Sequence, residues 1–184
     1  MDNLSRLHPL FALVAAVWVC SISGFVSTEV LRFCALVPRD VWQLHGIVSM
    51  VLVHKDWAHL AANTVPLAVL GALTLLEGRR YFVTSIAGVV LLGGIGLWLI
   101  GRAGSHVGAS GLVFGLFALL LARAFYARSM RSVGIATLVM LGYGSFVWGI
   151  LPTNSGVSWE AHLTGAMAGV VMAKWLVPRE QATV

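Results

Sequence analysis

Apolar residues run along this chain in six long blocks with short polar breaks between them. The blocks cover about 9–26, 58–76, 81–101, 108–127, 132–151 and 159–177. Each is close to the roughly 20 residues that a helix needs to cross a bilayer. The breaks are turn-forming: Glu77-Gly78-Arg79-Arg80, Arg102 to Val107, Arg128 to Arg131, and Pro152 to Ser158. The pattern predicts an all-α, polytopic membrane protein of six transmembrane helices. The first block could be the h-region of a signal peptide. It is longer than the usual run of about 7–15 residues and has no clear small-x-small cleavage site, so it is assigned as a span.

The break at 27–57 is different. It holds Pro38, Arg39, Asp40, Lys55 and Asp56, yet Val41, Trp42, Leu44, Ile47, Val48 and the run Met50 to Val53 are too apolar for a solvated loop. That apolar run is short for a span and ends at His54-Lys55-Asp56. It is expected to lie in or near the membrane interface, anchored by Trp42 and Trp57.

Composition sharpens the picture. Of the 184 residues 59% are hydrophobic and 10% charged, against about a quarter charged in soluble domains. A single transmembrane domain over 1–184 is expected, with no second globular domain. The net charge of +5 could suggest a nucleic-acid partner, but the basic residues form no stripe. They sit at span ends, where they set topology. With six spans both termini share a side, and that side holds Arg6, Arg79, Arg80, Arg123, Arg128, Arg131, Lys174 and Arg179. The other holds Arg32, Arg39, Lys55 and Arg102. The excess places the termini in the cytoplasm. Cys20 and Cys34 give no disulfide framework and read as free, packed thiols.

This threading has a chemical consequence. Spans two, four and six all run from outside to inside. His59 and Asn63 open span two, Ser110 opens span four and His162 opens span six. At about 1.5 Å rise per residue, all four lie at similar shallow depth beneath the outer face.

A serine hydroxyl becomes a nucleophile when a base takes its proton, and His162 can serve as that base. The oxyanion formed by attack needs preorganised donors. His59 and Asn63 are four apart and share a helical face. The backbone N–H of Ser110, free at a helix start, adds a third donor. No aspartate lies in a span, and Glu160 is two residues from His162 and so points elsewhere, which leaves a Ser–His dyad. Gly111 and Gly115, and Gly165 and Gly169, are small-xxx-small pairs that let helices approach closely. Spans four and six are expected to pack directly, with Phe114, four residues after Ser110, against the His162 ring.

Taken singly, each feature has a plainer reading: Gly-x-Ser-Gly and the glycine pairs as packing devices, Asn63 as interhelical glue. His8, His45, His54 and His106 read as loop or interface residues. Absence of His-Glu-x-x-His argues against an intramembrane zinc protease, and absence of membrane aspartates against an aspartyl one. Neither metal nor cofactor is called for. A transporter would place its polar groups nearer the bilayer midplane.

The motifs together resemble the rhomboid family of intramembrane serine proteases, from about Trp42 to Ala173. They are His54-x4-His59-Leu60-x2-Asn63, then Gly108-Ala109-Ser110-Gly111, then His162-x2-Gly165-x3-Gly169, in the family's order and spacing. The resemblance implies a rhomboid-like bundle of the basic six-helix form common in bacteria; the charge-based threading opens the site to the outer face, and the lack of a cysteine framework or targeting extension suits a bacterial inner membrane. Ser110 aligns with the nucleophile, His162 with the general base, and His59, Asn63 and the Ser110 N–H with the oxyanion hole. Phe114 aligns with an aromatic packed on the histidine. Residues 27–57 resemble a membrane-dipping first loop. Span five and the 152–158 loop resemble a mobile gate and cap, with Phe146 and Trp148 as gate side chains. Where some rhomboids carry Trp-Arg in the first loop, this chain has Trp42-Gln43, which removes that arginine as an anchor. No role is assigned to Glu77, at the end of span two. The implied partners are the lipid bilayer and membrane-anchored protein substrates. The rival from another class is a rhomboid-like protein that binds membrane clients without cleaving them.

Overall fold

The computed structural model describes residues 3–152 and 156–177. Residues 153–155 of the predicted cap loop, and Asp2 and Arg179 near the termini, lie outside the described residues. Among the described residues eight α-helices form: α1 Asn3–Val26, α2 Thr28–Cys34, α3 Gly46–Ser49, α4 Trp57–Leu75, α5 Arg79–Ile100, α6 Ser110–Ala127, α7 Met130–Tyr143 and α8 Trp159–Leu176. A 3₁₀ segment, Gly144–Ile150, continues α7. Among the described residues no strand forms, only an isolated antiparallel bridge between Leu36 and His106.

Among the described residues five segments are long and apolar enough to cross a membrane: Leu7–Val26, Trp57–Leu75, Arg79–Ile100, Ser110–Ala127 and Met130–Ile150. The sixth predicted block becomes α8, whose 18 residues include Glu160, His162, Thr164 and Lys174. These lower its apolarity. Protein shelters them instead of lipid, because α8 packs against both α6 and α5 and Glu160, His162 and Thr164 are buried.

Helix α6 forms the middle of the bundle, touching α4, α5, α7 and α8. It is apolar all round, as a helix enclosed by others must be, and every residue from Gly111 to Phe117 is buried. Its contact with α8 is backbone on backbone. A Cβ on Gly165 would lie 2.0 Å from the Gly111 carbonyl oxygen, and one on Gly169 would lie 2.0 Å from that of Gly115. Only glycine permits this approach. Between membrane helices, where no hydrophobic force acts, such close packing supplies the attraction.

Helix α7 contrasts with this. In the apolar stretch it forms with its 3₁₀ extension, 11% of residues are buried, against 56% in α6. It packs on α6 and its own extension, whereas α4 packs on α1, α5 and α6. No extensive helix packing joins α4 to α7.

The apolar loop is folded and anchored. Gly46 sits so close to the preceding turn that a Cβ would lie 2.5 Å from the Ala35 carbonyl oxygen, and Ile47 presses on Gly94 of α5. Trp42 is 89% exposed, suited to the interface. An arginine does tie the loop down, from another position. Arg39, in a left-handed conformation (φ 63°), donates from Nη1 to the carbonyls of Leu99 (3.2 Å) and Gly101 (2.9 Å). A cation at those end carbonyls of α5 also opposes the helix dipole favourably. Trp98 Nε1 donates back to the Asp40 carbonyl at 3.1 Å.

At the other end of the bundle, Glu77 follows α4 and pairs with Arg123 of α6 and Arg131 of α7. Arg131 also donates to the Leu76 carbonyl (2.9 Å), and the Arg123 guanidinium lies 4.9 Å over the Tyr81 ring. One carboxylate thus joins three spans. Cys20 and Cys34 are free thiols.

Candidate active site

Ser110 is the first residue of α6, reached through a turn that only this local sequence allows. Gly108 has φ 118°, and a Cβ there would lie 2.5 Å from Cε1 of His59. The His59 ring fills the place of the missing side chain. The Gly108 N–H donates to the Met50 carbonyl at 2.9 Å, and the Ala109 N–H donates to His54 Nε2 at 3.2 Å. The two peptides before Ser110 are therefore fixed by the folded loop. No side chain caps α6, and the Ser110 N–H has no partner within the helix.

Helix α8 starts at Ser158, whose hydroxyl accepts the Ala161 N–H at 3.3 Å. The same hydroxyl lies 2.7 Å from His106 Nδ1, while His106 Nε2 lies 3.0 Å from the Arg102 carbonyl. That carbonyl can only accept, so His106 carries its proton on Nε2 and receives the Ser158 O–H on Nδ1. Arg102 reaches the Val157 carbonyl and the buried Glu160 carboxylate. Glu160 is thereby engaged away from His162.

His162 sits in the first turn of α8, 6% exposed. Its Nδ1 is 2.9 Å from the Gly149 carbonyl. A carbonyl only accepts, so Nδ1 bears the proton and Nε2 keeps its lone pair. Nε2 is buried and has no hydrogen-bond partner among the described residues. Phe114 stacks on the ring, with centroids 3.9 Å apart and planes 7° apart. Phe146 stacks on Phe114 in turn, at 4.9 Å, while Trp148 is 70% exposed. The stack and the Gly149 bond together leave the imidazole one orientation.

Asn63 is buried and donates one amide hydrogen to the His59 carbonyl at 3.1 Å, which leaves the other available. His59 is ordered at its backbone by Asp56, which accepts its N–H at 2.7 Å. A cavity of about 430 Å³ opens over the serine, lined by Lys55, Asp56, His59, His106, Ser110 and Ser158 among others. Ser110 and His59 line one cavity, Asn63 lies one turn along α4 from His59, and His162 stands in the first turn of α8, the helix packed on α6. The links are Gly108 under His59, Gly111 against the Ala161 carbonyl, and Phe114 under His162.

His54 opens the first rhomboid-like motif, yet by position alone it reads as a loop residue with no role of its own. The structure buries it fully, with Nδ1 2.9 Å from the Ser21 hydroxyl and its ring edge-on to His59 at 4.9 Å. Its place five residues before His59 was visible, but its partners lie 33 and 55 residues away. Burial, and then the neighbouring His59, pushes its pKa from 6.5 down to about 4, with Asp56 acting the other way. Between those pH values the unfolded chain binds the proton more readily, so stability falls as pH drops from 6.5 toward about 4. Thermal unfolding in detergent across that range should show the loss, and His54→Gln should flatten it. An unchanged slope in the variant would assign the acid sensitivity to another group.

A bundle of apolar helices holding a serine, two histidines and an asparagine at one end defines an integral membrane protein with a buried polar site. The rhomboid domain family model matches residues 40–179, and the chain belongs to the rhomboid family. Among its relatives is an uncharacterized protein of Mycobacterium tuberculosis (strain H37Rv), 38% identical over 94% of this chain and 75% of its own length. The Bacillus subtilis "Putative rhomboid protease YdcA" is 28% identical over 96% of this chain and 92% of its own length. Rhomboid-like protein 11, chloroplastic, of Arabidopsis thaliana is 30% identical over 73% and 53% respectively.

Proposed function

We propose that this chain is an intramembrane serine endopeptidase that cleaves transmembrane segments of membrane-anchored proteins through a Ser110–His162 dyad. The observation that carries the reading is the fixed tautomer of His162. Gly149 holds the proton on Nδ1, so the unpartnered Nε2 is the atom free to take a proton from a serine at the start of the adjoining helix. Ser110 Oγ attacks the scissile carbonyl and its proton passes to Nε2. The oxyanion is met by the Ser110 N–H, the free Asn63 amide hydrogen and His59. His162 returns the proton to the leaving amine, and water from the cavity over Ser110 hydrolyses the acyl-enzyme. No cofactor takes part.

A substrate helix has to reach this site from the lipid. The weakly buried α7 and the absence of extensive packing between α4 and α7 support lateral access between them. Local unwinding exposes the peptide bond, which favours small or helix-breaking residues near the cut. The distribution of basic residues supports cytoplasmic termini and a site opening to the outer face of a bacterial inner membrane.

Labelling of the purified protein in detergent with a fluorophosphonate probe tests the dyad without knowledge of the substrate. Wild type should label, and Ser110→Ala and His162→Ala should not. No labelling of a folded wild type, beside a labelled control hydrolase, would reject the enzyme in favour of a client-binding protein.

A further inference from the structure

We infer that Ser21, in the first span, is a positioning residue that acts through His54 to hold the turn delivering the Ser110 N–H. The inference rests on the protease reading for its consequence, though the hydrogen-bond chain can be tested without it.

The polar direction of the chain is fixed at both ends. An amide N–H can only donate, so His54 Nε2 must present a lone pair to Ala109 (3.2 Å). A neutral imidazole has one N–H, which therefore sits on Nδ1. It donates to the Ser21 hydroxyl at 2.9 Å, and the Ser21 hydroxyl donates onward to the Leu52 carbonyl at 3.1 Å. Every donor in the relay meets an acceptor. The opposite tautomer would set His54 N–H against Ala109 N–H and leave two buried donors facing each other, which is costly.

Ser21 and His54 are both fully buried, on elements that meet where α1 packs on the Met50–Leu52 turn. The ionisable groups acting on His54 are His59 and Asp56, both at the start of α4. Its hydrogen-bond partners among the described residues are the Ser21 hydroxyl and the Ala109 amide. A serine in an apolar span could be satisfied within its own helix, as Ser23 is by the Val19 carbonyl. Ser21 instead reaches out of its helix to a side chain whose other nitrogen touches the nucleophile's turn. Together with the Gly108 bond to Met50, this sets the orientation of the peptides immediately before the Ser110 N–H.

Losing the Nδ1 acceptor weakens the preference for the correct tautomer. A lost buried hydrogen bond of this type corresponds to about a tenfold fall in rate. Ser21→Ala should therefore label with a fluorophosphonate about tenfold more slowly at saturating probe, with the half-saturating probe concentration little changed. Ser21→Cys, which keeps the volume but accepts poorly, should match it and covers the case in which the alanine variant unfolds. Ser21→Thr, which restores the hydroxyl, should recover most of the rate. Nitrogen NMR of histidine-labelled protein should find His54 protonated on Nδ1 in wild type and shifted toward Nε2 in Ser21→Ala. Wild-type rates in folded Ser21→Ala and Ser21→Cys, or an Nε2-protonated His54 in wild type, would overturn the inference. A wild type that shows the Nδ1 tautomer but does not label would instead reject the protease reading, and the role in catalysis with it.

Discussion

Gly165→Ala is expected to unfold this protein in detergents that support the wild type. The added Cβ would lie 2.0 Å from the Gly111 carbonyl oxygen and 2.8 Å from its carbon. Both are backbone atoms in the first turn of α6, so no side chain can rotate away and the helices must separate. Gly111 itself faces the Ala161 carbonyl, one residue before the histidine, so separation also parts Ser110 from His162. Overpacking commonly costs about 1–3 kcal/mol, and a clash with helix backbone belongs at the top of that range or above it. Gly169→Ala should behave alike, since its Cβ would meet the Gly115 carbonyl at the same distance. Gly134→Ala on α7, where no atom lies within 4 Å, is the control and should melt as wild type does. Equal melting temperatures for Gly165→Ala and Gly134→Ala would show that α6 and α8 are not in backbone contact.

Removing the Glu77 carboxylate should cost nearly as much by a different route. Arg123 and Glu77 are both mostly buried, with side chains 14% and 11% exposed. In Glu77→Ala the Arg123 guanidinium keeps its charge, loses its partner and remains among apolar helices. Breaking a buried pair from one side costs about 3–5 kcal/mol. The aromatic face of Tyr81 offsets part of this, and the loss should lie near 3 kcal/mol. The double variant Glu77→Ala/Arg123→Leu, which removes the stranded charge, should recover part of it. Chemical unfolding of the two variants decides the matter. A double variant that is less stable than Glu77→Ala would show that Arg123 is held by its other contacts and not by the carboxylate.

The helices, and the placing of His59, Ser110 and His162 near helix starts, were legible in the sequence because both depend on local pattern. Long apolar blocks need no tertiary information, and residues at matching places in alternate spans must arrive at the same depth. Gly165 and Gly169 lie at helical spacing from His162, so close approach could be read directly. Boundaries moved where side chains decide them. Helix α1 starts at Asn3 and passes through Pro9, whereas hydropathy began the span at residue 9. Gly108 and Ala109, counted in the fourth block, form the turn before α6, since a φ of 118° at Gly108 is not helical.

What escaped the sequence was every contact that joins distant positions without a local signature. A serine in an apolar span looks like packing, so Ser21 gave no sign of reaching His54. Arg39 had nothing beside it to mark it as the cap of α5, sixty residues on. Glu77 stood next to Arg79 and Arg80, yet its partners are Arg123 and Arg131, on spans that periodicity cannot place relative to the turn. Gly149 contributes only a carbonyl, which no residue type announces.

That carbonyl ties chemistry to motion. It belongs to the extension of α7, the span with the least protein around it, and Phe146 on the same extension finishes the aromatic stack over His162. Any outward swing of this segment therefore withdraws the acceptor of the Nδ1 proton and thins the stack in one movement. The ring is then free to turn or to move its proton to the other nitrogen. On the protease reading proposed above, admission of a substrate and readiness of the base would be mechanically opposed: a wide-open doorway would be a disarmed site, and cleavage would wait until the segment settles back.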